Sequence, residues 1–131
     1  MTESRSESRP FSYAVLRVVP CLERGERLNV GLALFCRQHD FLELETSLDR
    51  KRLAAIAPDL DPEPVESRLA VIRRVIEGDE AAGALAELEP SERFGWLTAP
   101  SSTIIQSSEV HTGLTADPAA ELKRLFESLV L

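Results

Sequence analysis

A chain of 131 residues, 44% of them apolar and 28% charged, is long enough for one hydrophobic core and too apolar for a disordered segment. Its 22 Asp and Glu outnumber its 15 Lys and Arg, and a net charge of -7 repels phosphate-rich surfaces, so nucleic acid is not an expected partner. No stretch approaches the roughly 18 apolar residues of a membrane span, and Met1 to Arg9 lacks an apolar signal core. The expectation is therefore a cytoplasmic protein with no membrane contact, whose Cys21 and Cys36, outside any metal-ligand spacing, are reduced thiols.

Residues 1–9 read as a disordered polar tail and 10–131 as a single α+β domain. Phe11 to Val19, F-S-Y-A-V-L-R-V-V, is rich in β-branched and aromatic residues and stops at Pro20, which predicts a strand covered on both faces. Cys21 to Leu28 is a charged connection turning at Gly25. Asn29 to Arg37 predicts a second strand with Val30, Leu32, Leu34 and Cys36 on one face, and Gly31 leaving room for a neighbour. After the turn at Gln38, His39 and Asp40, Phe41 to Leu48 predicts a third strand with Glu43 and Glu45 on a wet face.

Asp49 caps a short helix ended by Pro58, and Asp61 with Pro62 opens a longer one in which Val65, Leu69, Ile72 and Ile76 recur at helical spacing before Gly78. The triplet Arg50, Lys51, Arg52 and the pair Arg73, Arg74 lie beside carboxylates and read as solvated helix faces. Asp79 to Leu88, Ala-rich, predicts a further helix, Ser91 could cap one helical turn, and Ser102 to Ser107 predicts a fourth strand. Asp117 and Pro118 open a last helix whose stripe is Leu122, Leu125, Phe126, Leu129 and Val130. These elements predict an antiparallel sheet of about four strands, a β-meander first, with helices packed mainly on one face.

Chemistry is harder to locate. His111 lies near several serines, but no G-x-S-x-G elbow is present, and serines beside Pro and Gly commonly bond their own turns. His39, Asp40, Glu43 and Glu45 are the nearest approach to a metal cluster and read instead as an edge guard, so neither metal nor cofactor is implied. Arg93, Phe94, Trp96, Thr103, Gln106, His111 and Thr112 could line one groove with Trp96 as an apolar anchor; alternatively, the aromatics fill the core and the polar groups satisfy loop backbone.

Three blocks, F-S-Y-A-V-L-R-V-V-P, R-G-E-R-L-N-V-G-L-A-L-F and the Pro100–Gly113 segment with its I-Q and V-H-T-G elements, resemble a bacterial domain-of-unknown-function family, number 3037, over Phe11 to Leu131. The resemblance implies no established activity. It implies an accessory setting beside toxin-type protein kinases, hence a protein partner such as a kinase-like protein encoded nearby, with a homo-oligomer also open. It carries Glu26, Asn29, Gln106, His111 and Thr112 over as site candidates. Ser101 stands where the resemblance leads one to expect Arg, which puts any anion site at that position in doubt. Two readings follow: a non-catalytic binding or accessory module, or a small hydrolase or transferase acting on a phosphorylated or nucleotide substrate, with His111 as base beside Gln106 and Thr103.

Overall fold

The computed structural model describes residues 7–101 and 103–131. Met1 to Ser6, most of the expected tail, and Ser102, the expected first residue of the fourth strand, lie outside the described residues. Among the described residues the strands are β1 (Arg9–Val18), β2 (Leu28–Cys36), β3 (Phe41–Thr46), β4 (Ile105–Ser107) and β5 (His111–Thr115). The helices are α1 (Arg50–Ile56), α2 (Pro62–Glu77), α3 (Pro90–Thr98) and α4 (Pro118–Leu129). The fold is α+β, and the first three strands form the expected antiparallel meander, ordered β3-β2-β1-β4 with β5 also on β1.

β1 is the centre of the sheet because both of its edges are occupied. β2 takes one, and β4 and β5 share the other, pairing with Leu16–Val18 and with Arg9–Tyr13 respectively. Ser108 bridges the gap between them: its amide donates to Val15 O at 2.8 Å and its hydroxyl accepts from the Val15 amide at 2.9 Å. The fifth strand was not expected, since H-T-G-L-T is short, polar and interrupted by Gly113.

One face expectation is corrected. Leu32, Leu34 and Cys36 face one way as expected, but Val30 packs with Ala33, Leu16 and Val18 in the opposite core. The cause is a bulge: Leu16 pairs with Gly31 and Arg17 with Asn29, so Val30 is the extra residue and the alternation inverts there. At the neighbouring Gly31 a Cβ would stand 3.2 Å from Glu45 O, so the backbones approach there as the sequence implied.

Helices α1, α2 and α3 cover one face through Leu53, Val65, Leu69, Ile72, Ile76, Phe94 and Leu97. The amphipathic α4 covers the other through Leu122 and Leu125, against Phe11, Val15, Leu32 and Leu34. Asp49, Asp61 and Asp117 cap as expected, accepting from Lys51 and Arg52, from Glu63 and from Ala120 amides. Asp117→Ala should therefore cost about 1 kcal/mol in urea unfolding, and an unchanged midpoint would deny the cap any weight.

Two local expectations fail. Residues 79–88 form two short 3₁₀ turns instead of a helix, because Gly83 breaks the run at φ 89°. Ser91 does not cap: Pro90 occupies the first turn, which makes Glu89 the N-cap, and the Glu92 carboxylate reaches back to accept from the Glu89 amide at 3.3 Å. Among the described residues no helix is long and apolar enough to cross a membrane.

Candidate functional site

The expected single groove does not form, because the sheet separates its members. On the α3 side, Phe94 stacks on Phe35 with ring centroids 5.7 Å apart, and Phe94 and Leu97 anchor α3 in the core. That leaves Trp96 half-buried at the helix edge, where its indole walls a hollow of about 240 Å³. Leu16, Ile72 and Ile105 form the apolar floor, and Arg68, Thr103 and Ser107 the polar rim.

The turn beside this hollow is held by its own hydroxyls and amide. The Thr103 hydroxyl donates to Ile105 O at 2.8 Å, Ser101 Oγ accepts from the Thr103 amide at 3.1 Å, and Gln106 Nε2 donates to Thr103 O at 2.9 Å. Thr103 lines the hollow. Gln106 pairs with Arg17 across the ladder and thus points to the opposite face.

On the α4 side lies an open cleft of about 330 Å³ with Tyr13, Val15 and Arg17 of β1 as its floor. The register fixes the rest: Asn29 lies opposite Arg17, and His111 opposite Tyr13 with their rings 5.2 Å apart. Arg27, Ser108 and Leu129 complete the lining. Asn29 Nδ2 donates to Leu129 O at 2.9 Å and so ties the end of α4 to β2. Burial first, then the neighbouring Arg27, pull the Arg17 pKa below its ordinary value, and Glu109 opposes them.

The remaining candidates stand elsewhere. Glu26 pairs with Arg24 at 2.6 Å in the exposed turn, and that hydrogen bond holds its carboxyl below the ordinary range. Thr112 lies opposite Ser12, on the face away from His111. Arg93 reaches the end of α2, where its Nη1 donates to Ile76 O at 2.9 Å, while its Nε is buried without a hydrogen-bond partner among the described residues.

Of the eight candidates, then, Trp96 and Thr103 meet in one hollow and Asn29 and His111 in the other. Tyr13, Arg17 and Arg27 are not among the eight. The signal was present, for an Arg at period two from Tyr13 in an otherwise apolar strand must present a charge on a covered face. Among the described residues no group of three or more His, Cys, Asp or Glu is placed to hold a metal ion.

A meander covered by three helices on one face and one on the other defines a small α+β protein, with the Trp96 hollow on one side of the sheet and the Tyr13–His111 cleft on the other. A family model described as "Protein of unknown function (DUF3037)" matches residues 13–130, and the chain belongs to that family. Nothing among curated proteins and nothing among solved structures matches it.

Proposed function

We propose that this is a non-catalytic binding module that takes a protein partner at the Trp96 hollow, in the bacterial cytoplasm. The observation that carries the reading is the composition of that hollow: an apolar floor, a half-buried indole and a rim of Arg68, Thr103 and Ser107. Aromatic anchors ringed by polar groups are the usual centre of a protein-binding surface. The accessory setting implied by the family resemblance favours a kinase-like partner encoded nearby. The enzyme reading would need His111 oriented by a carboxylate; its ring lies against Tyr13 instead, and no carboxylate bonds it among the described residues.

The test compares tagged wild-type protein with Trp96→Ala and with Arg68→Glu, recovered from the native host and then titrated with the purified partner. Arg68 is exposed, so its substitution leaves the core intact. Trp96→Ala should weaken the complex by about thirtyfold, the loss expected when a central anchor is removed, and Arg68→Glu on the rim should weaken it by a smaller factor. A partner held with unchanged affinity by both variants would refute this surface.

A further inference from the structure

Four hydrogen-bonding side chains line the α4-side cleft, Tyr13 and Arg17 half-buried and Arg27 and His111 exposed. The Tyr13 hydroxyl, the Arg17 and Arg27 guanidiniums and the His111 imidazole make no hydrogen bond or ion pair among the described residues. No carboxylate lines the cleft among those residues, and Glu109 acts on Arg17 only from outside the lining. Two guanidiniums facing one hollow repel each other, an arrangement that an anion between them would relieve. The C-terminus of α4 brings roughly half a negative charge and its last carbonyls. The Leu129 carbonyl is already taken by Asn29, however, and two full positive charges exceed that half charge.

We propose that this cleft binds a phosphate monoester. Such a group presents three terminal oxygens and close to two negative charges near neutral pH. The donors reach the cleft from separate elements: Arg17 and Tyr13 from β1, Arg27 from the turn before β2, and His111 from β5. That spread suits a tetrahedral group with three acceptors better than a planar carboxylate with two. Val15 and the touching rings of Tyr13 and His111 supply an apolar wall for the carbon side of the ester. The proposal is independent of the Trp96 hollow, which lies across the sheet.

The source of the ester is either a phosphorylated side chain of a protein or a small phosphorylated molecule, and calorimetric titration of the full chain separates them. The probes are O-phosphoserine, a serine peptide with and without its phosphate, inorganic phosphate and glutamate. Phosphorylated probes should bind in the millimolar range or tighter, with glutamate and the bare peptide at least about tenfold weaker. Binding should fall as salt rises. Arg27→Ala, in an exposed turn, should weaken phosphate binding by about tenfold, while Arg52→Ala on the opposite side leaves it unchanged. A phosphopeptide bound more tightly than phosphoserine assigns the site to a protein ligand; equal affinities assign it to a small molecule. Failure of every phosphorylated probe to bind, equal binding of glutamate, or an Arg27→Ala variant that is folded by circular dichroism and binds as well as wild type would each overturn the proposal.

Discussion

Replacing Leu34 with alanine should lower the unfolding free energy by about 2–5 kcal/mol, a large share of the roughly 5–15 kcal/mol typical of a domain. Leu34 is wholly buried at the middle of the smaller core, packed with Leu32, Cys36, Phe11, Leu122 and Leu125. Its strand cannot sink into the vacated space, because the ladder holds Leu34 between Tyr13 of β1 and Glu43 of β3. Nor can α4 settle freely, since the Leu129 carbonyl at its C-terminal end is bonded to Asn29 of β2. A cavity that neither side can fill keeps its full cost. Urea unfolding should show a lower midpoint with an unchanged slope. Leu114→Ala is the control, for Leu114 is 69% exposed and should change stability by less than about 0.5 kcal/mol. A Leu34→Ala loss no larger than the Leu114 control would mean that this layer is not a packed core.

The parts of the fold legible in the sequence are those fixed by local chemistry. Aspartates at 49, 61 and 117 suit the exposed amides of a helix's first turn, and they stand at the starts of α1, α2 and α4. The apolar alternation of β2 and the wet face of β3 are properties of one strand at a time, and both were read. What escaped depends on pairing. The bulge that turns Val30 over exists only in the register between β1 and β2. The strand at His111–Thr115 is a strand because β1 offers it an edge, its own residues being polar and small.

The candidate site divided for the same reason. Trp96, Gln106 and His111 are close in sequence, and proximity along the chain suggested one groove. β4 and β5, however, line up along a single edge of β1, so the face each side chain meets is set by its parity in the ladder. Ile105 and Ser107 turn toward Trp96, whereas His111 turns toward Tyr13. Parity also gathers Tyr13, Val15 and Arg17 under α4, which places Arg17 beside Asn29 in a cleft that no carboxylate lines among the described residues. One strand thus furnishes the floor of both hollows.

Substitutions at Gly78 and Arg93 should be strongly coupled, and the coupling separates a structural arginine from a binding one. Gly78 ends α2 at φ 74°, a conformation that costs a residue with a Cβ about 1–2 kcal/mol. An alanine Cβ there would also stand 2.6 Å from Arg93 Nη1, the atom that donates to Ile76 O. The guanidinium must then move away and leave that carbonyl unpaired beside a buried side chain, at about 1–3 kcal/mol. Gly78→Ala should therefore destabilise by about 2–5 kcal/mol, and Arg93→Ala alone by about 1–3 kcal/mol. In the double variant the bond is already lost, and only the backbone strain should add to the Arg93→Ala cost. The two losses should fall short of additivity by the cost of that bond, about 1–3 kcal/mol. Strict additivity, with Arg93→Ala as stable as the wild type, would show that the arginine does not hold the end of α2 and would return it to the list of binding candidates.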